Sequence, residues 1–177
     1  MTDTSTASIA ELVPGRYRLD PGRSWVRYSG KHLFGLGTVQ ATLAVKEGKV
    51  QVEELVETST AYVTVDAASF TSGNARRDRD VASAGLLDVA TYPDVTFEST
   101  RLLPDTGGGW LLKGTVTAHG RTVAVDVRVD RVTEESGGLR VHARAERLDR
   151  TAFGITGSKG MVGRHLDLEL DVFAVPS

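Results

Sequence analysis

Arg76-Arg77-Asp78-Arg79-Asp80 is the longest unbroken run of charge in the chain. It could serve as an acid–base cluster, as a patch for nucleic acid, or as the scaffold of a loop. Three arginines and two aspartates nearly cancel, and successive residues on a helix point in different directions, so the run cannot build one basic face. Asp78 and Asp80 fall near a helix start, where the macrodipole favours anions. The run reads as a helix-start charge network. The four histidines, His32, His119, His142 and His165, lie far apart in sequence, and none sits in an HExxH spacing. They read as surface or turn histidines, and no metal or cofactor site is expected. Asp20, Asp66, Asp78 and Asp88 could pair for acid–base work, but nothing in their spacing brings two together. GxSxG is absent, and "GSKG" (157–160) lacks the spacing of a phosphate loop and reads as a turn. Trp25 and Trp110 occupy strand positions, where they could stack on a ligand or fill a barrel end. With no cysteine there can be no disulfide, thiolate metal site or cysteine nucleophile. Twenty-one basic against 23 acidic residues, a net charge of −2, argue against a surface built for nucleic acid.

The elements that must position these groups are mostly strands. In "VAVDVRVD" (123–130) the valines share one face and the charges the other, and "HLDLELDVFA" (165–174) repeats the arrangement. Similar alternation occupies 24–31, 38–46, 53–65, 94–102, 110–118 and 139–148, so about eight half-buried antiparallel strands are predicted. Gly48, Gly107–Gly109 and Gly137–Gly138 read as breaks between strands. Only 74–88 lacks the period of two; it is predicted to hold one short helix in a long loop, capped by Ser72 or Asn74. One helix cannot cover eight strands, so the apolar faces must bury each other in a barrel or a sandwich. Long strands joined by short turns favour the barrel, which also abolishes exposed edges. Presumed inner positions carry mainly Val, Leu, Ala and Ser, which leave room for a lumen. The first 14 residues read as a flexible polar tail with neither the basic nor the apolar region of a secretory leader. No window reaches the ~18 apolar residues of a membrane helix. The expectation is a soluble, cytoplasmic protein with one domain over 15–177.

Five blocks of sequence, in order from about Arg16 to Val175, carry a resemblance. "YRLDPGRS" (17–24) resembles the opening Y-x-[IL]-D-x-x-H-S of the YceI-like, polyisoprenoid-binding family, and "KHLFGLGTVQATL" (31–43) its H-x3-G strand-turn-strand. "SGNARRDRDVASAGLLDVATYPDVTFEST" (72–100) resembles the block TGN-x-x-RD-x-HL…FFD…YP-x-[IV]-TF-x-S-T. "GTVTAHGRTVAVDV" (114–127) resembles G-x-LTIHG-x-T-x-x-V, and "DRTAFGIT" (149–156) contains R-x-x-FGI. The chain departs from the family at Arg23, at Asp80-Val81 and at Leu86-Leu87, where histidine, His-Leu and Phe-Phe are usual. Two candidate acid–base groups are thereby lost.

The resemblance implies an all-β, lipocalin-like, eight-stranded antiparallel barrel whose elongated apolar pore holds a long-chain amphiphile, such as a polyprenyl chain or an isoprenoid quinone. Dimers are common in the family, so a homodimer is allowed. The resemblance puts Arg77 and Asp78 on the family's RD pair, with Arg77 expected to pair with a carboxylate and Asp78 to accept backbone or arginine donors. The expected lining is Val26, Tyr28, Leu43, Val63, Val65, Phe97, Val116, Val125, Val127, Phe153 and Leu168, on one chosen parity of the strands. Non-catalytic carriage or sequestration of such a lipid is the leading expectation. The alternatives are an enzyme acting on a lipophilic substrate, with Arg23, His32 and Asp78 as candidate groups near the pore, and a stress or interaction protein with a filled barrel.

Overall fold

A computed structural model describes residues 5–7, 11–158 and 160–177. The alternating segments form β1 (Ser5–Ala7), β2 (Gly15–Leu19), β3 (Trp25–His32), β4 (Gly37–Val52), β5 (Thr60–Asp66), β6 (Asp94–Pro104), β7 (Trp110–Ala118), β8 (Arg121–Glu135), β9 (Gly138–Asp149) and β10 (Val162–Pro176). Among the described residues a single α-helix, α1 (Ala75–Ala82), interrupts them between β5 and β6. Strands β3 to β10 pair antiparallel in chain order, and β10 returns to β3 through Leu168↔Tyr28 and Leu170↔Val26. The sheet is therefore a closed eight-stranded barrel, the solution expected when strands have no helical layer to bury against.

The seam is a broken strand. β2 pairs with the far end of β4 (Gly15↔Val52) and with the end of β10 (Ala174↔Leu19), in the lane that β3 occupies lower down. Between the two pieces Asp20 caps a 3-10 turn, Pro21–Arg23, by accepting the Gly22 N–H at 3.0 Å. Ser24 Oγ accepts the N–H of Phe173 at 3.0 Å and ties this break to β10.

Two readings of the sequence are corrected, Gly48 and the start of β5. Gly48 does not end a strand; β4 runs through it, because Leu19 of β2 lies where a Cβ would stand, 2.4 Å away. The strand expected over 53–65 begins only at Thr60. Residues 53–59 instead turn back on themselves, with Val56–Thr58 in a 3-10 turn and Ser59 Oγ accepting the Glu53 N–H at 2.9 Å. Within the stretch read as a tail, Ser5–Ala7 pairs with Val132–Glu134 of β8, and Leu12 packs on the core; residues 1–4 and 8–10 lie outside the described residues.

One end of the barrel is closed from inside. Tyr28 meets Phe70 edge-on at 5.4 Å, and Leu86, Phe153 and Ile155 are buried in the loops beside them. Arg150 is only 5 % exposed. Its guanidinium donates to the carbonyls of Ile155 at 2.8 Å, Gly163 at 2.9 Å and Val162 at 3.0 Å, which offsets the cost of burying a cation without a carboxylate. The largest fully buried side chain, Phe173, faces away from the lumen, beneath the guanidinium groups of Arg23 (3.5 Å to the ring centroid) and Arg140 (5.2 Å).

Candidate functional site

Inward-facing residues of all eight barrel strands enclose a tunnel of about 190 Å³. That exceeds the ~150 Å³ of an apolar cavity able to hold benzene. Its wall is hydrocarbon apart from Ser59, Thr60 and Thr96, and half of the lining residues are valine. Valine is stiff at χ1 and short, so opposed valines leave an axis of free space where leucine or phenylalanine would meet. Phe97 is the one aromatic residue in the lining, and no lining residue is titratable. The tunnel runs toward the turn after β4, where Leu12, Val52, Val56, Ser59 and Thr60 line it. That end lies opposite the floor and is where the tunnel can open.

Val26, Val63, Val65, Phe97, Val116, Val125, Val127 and Leu168 stand in the wall. Three expected lining residues stand elsewhere. Leu43 packs against the core outside the tunnel lining. Tyr28 is drawn onto Phe70, with its hydroxyl lying over Gly30. Burial pushes its phenol pKa up, and the neighbouring Arg150 charge partly opposes that shift. Phe153 is buried in the 3-10 turn Arg150–Phe153. Tyr28 and Phe153 thus belong to the floor. Sequence reasoning missed much of the wall, including Leu12 and Leu19, Val50, Val52 and Val56, and Val129, Val132, Val141, Leu170 and Val172 along the long strands. The alternation of Tyr17 and Leu19 was the signal available for β2.

The charged run takes no part in the tunnel. Asn74 caps α1 by accepting the Arg77 N–H at 3.0 Å. The Asp78 carboxylate accepts the N–H of Ser72 at 3.0 and 3.2 Å and its hydroxyl. Arg77 Nε donates to the same Ser72 Oγ at 2.9 Å, and no ion pair among the described residues includes Arg77. The expected carboxylate partner of Arg77 is therefore replaced by a serine that both charges share, while Asp78 accepts the backbone donor expected of it. Arg76, Arg79 and Asp80 are exposed.

On the outer face His142 stands between Asp130 (Nδ1 to Oδ2, 3.3 Å) and Glu169 (Nε2 to Oε1, 2.7 Å), with Arg144 also donating to Asp130 at 2.8 Å. His119 tilts against Tyr92 at 4.7 Å. Among the described residues no group of three or more histidines and carboxylates is placed to hold a metal ion, and no helix is long and apolar enough to cross a membrane.

Comparison with known proteins agrees with this geometry. Residues 17–174 match the family model described as YceI-like domain. A UPF0312 protein of Vibrio cholerae is 33% identical over 121 residues, which span 64% of this chain and 64% of that protein, so the match leaves about a third of each outside it. The crystal structure of Burkholderia cenocepacia BcnA superposes with a TM-score of 0.71 at 25% identity, covering 89% of this chain and 99% of BcnA. A polyisoprenoid binding domain from Saccharophagus degradans, implicated in plant cell wall breakdown, gives a TM-score of 0.64 at 13% identity, over 93% and 100% of the two chains.

Proposed function

The chain belongs to the YceI-like domain family, and from that premise we propose that it binds a long-chain isoprenoid-type lipid, a polyprenyl chain or an isoprenoid quinone, and carries or sequesters it without catalysis. The observation that carries this reading is the tunnel wall, hydrocarbon but for the hydroxyls of Ser59, Thr60 and Thr96 and with no titratable side chain in it. Each methylene moved from water into such a wall gains about 0.8 kcal/mol. The Saccharophagus domain, alike in fold, is described as polyisoprenoid-binding, which supports the same assignment. An enzyme would need acid–base groups converging on the lumen. The candidates Arg23, His32 and Asp78 are instead placed over Phe173, against Gly37 and on Ser72. A filled barrel is disfavoured by the tunnel itself. Cytoplasmic residence and homodimer assembly belong to the same proposal, on composition and on family habit respectively.

The test is native mass spectrometry of protein purified without detergent, followed by titration with farnesol and with a short-chain isoprenoid quinone. A co-purifying lipid, or saturable one-to-one uptake of either probe, is the expected result. No endogenous lipid together with no uptake of either probe would reject the proposal.

A further inference from the structure

The tunnel restricts the head group of its ligand as well as the tail; this inference rests on the lipid reading above. The wall has no charged donor for an anion: no lysine or arginine is among the lining residues, and its polar side chains are the hydroxyls of Ser59, Thr60 and Thr96. A phosphate or diphosphate buried there would lack the charged donors that normally hold such groups, so the head of any bound amphiphile stays at the mouth.

The turn at that end is acidic. Glu53 and Glu57 directly follow the lining residues Val52 and Val56, with Glu54 between them, and all three are exposed. None of the three is in an ion pair among the described residues. The segment 50–61 that carries them contains no lysine or arginine, and the chain has no basic residue before Arg16. Arg16 and Lys49, the nearest cations in sequence, alternate with the inward residues Tyr17 and Gly48 and lie on the outer face. We propose that the tunnel selects an amphiphile with an uncharged or cationic head, and that Glu53, Glu54 and Glu57 discriminate against phosphate and diphosphate heads by like-charge repulsion across the mouth.

Three probes with one hydrocarbon chain and different heads test this: farnesol, farnesylamine and farnesyl diphosphate, each titrated into the full chain by calorimetry. At low salt the diphosphate is expected to bind at least about tenfold more weakly than farnesol, and the gap should narrow near 0.5 M NaCl, where the screening length is only a few ångströms. Farnesylamine should bind at least as tightly as farnesol. In the variant E53Q/E54Q/E57Q the ratio of farnesol to diphosphate affinity should fall toward unity; a ratio within one protein is insensitive to partial loss of fold. Diphosphate binding as tight as farnesol in the unmodified chain, or a ratio unchanged in the variant, overturns the proposal. Failure of all three probes to bind defeats the lipid reading itself, and this proposal with it.

Discussion

Asp149 shows how much of the floor depends on single side chains. One carboxylate oxygen accepts the N–H (2.9 Å) and hydroxyl (2.6 Å) of Thr151, and the other accepts Arg164 Nε at 3.0 Å. Arg164 first, and then Thr151, hold the carboxyl well below the usual carboxylate range. The turn so capped carries Arg150 and Phe153 into the floor. A carboxylate whose pKa is depressed by folding stabilises the native state above its unfolded pKa, about 3.9, and loses that contribution as pH falls toward the folded value. D149N should therefore be less stable than the unmodified protein at pH 7, and the deficit should shrink between about pH 4 and pH 2. Urea unfolding across that range measures it; a deficit of constant size from pH 7 to pH 2 would show that the charge of Asp149 is not what matters.

At the scale of elements, the barrel is held together where β2 substitutes for β3. Gly48 is inward-facing, and its missing side chain is the space that Leu19 fills. Valine has the higher strand propensity, but here a Cβ would stand 2.4 Å from Leu19 Cδ1 and 3.0 Å from the Tyr62 carbonyl. G48V should destabilise by about 1–3 kcal/mol through overpacking. Adding L19A should recover part of that loss in a double-mutant cycle. Thermal or urea melts decide it, and a G48V protein at least as stable as the parent would remove Leu19 from this role. The same site shows why some elements were legible in the sequence and others were not. The valines of "VAVDVRVD" and the leucines of "HLDLELDVFA" alternate over eight residues or more, and both segments lie in barrel strands with those residues inward. β2 is five residues long and ends on Asp20-Pro21-Gly22, so its two inward residues are too few for a period. Gly48 reads as a turn because sequence alone does not show Leu19 arriving from another strand. Tyr28 lies on the same face of β3 as Val26, but at the floor, and Phe153 reaches the floor from a 3-10 turn. Alternation assigns a face to a residue and gives no depth along the axis. Ser72 as the shared partner of Arg77 and Asp78 is likewise a property of the folded loop.

At the scale of the whole molecule, a barrel that keeps its axis clear forgoes packing that a filled core would have. That makes its stability responsive to a guest. A ligand bound only by the native state adds RT ln(1 + [L]/Kd), about 2.7 kcal/mol at a hundredfold excess over Kd. For a domain of this size the corresponding rise in Tm is roughly 5–10 °C. Farnesol should produce such a rise in the unmodified protein. Ala143 and Ala145 of β9 both line the tunnel, where their small side chains leave space. Enlarging both in A143L/A145L places hydrocarbon of the protein's own where the guest would lie. The variant free of ligand should melt as a folded, cooperative barrel, and its farnesol-induced shift should disappear. This pairing separates occupation of the lumen from binding to the apolar residues exposed elsewhere, such as Phe34 and Leu36 on the β3–β4 turn. Ligand held at that turn would raise Tm equally in both proteins. An undiminished shift in the filled variant therefore excludes the tunnel as the site, whatever the affinity measured for the unmodified chain.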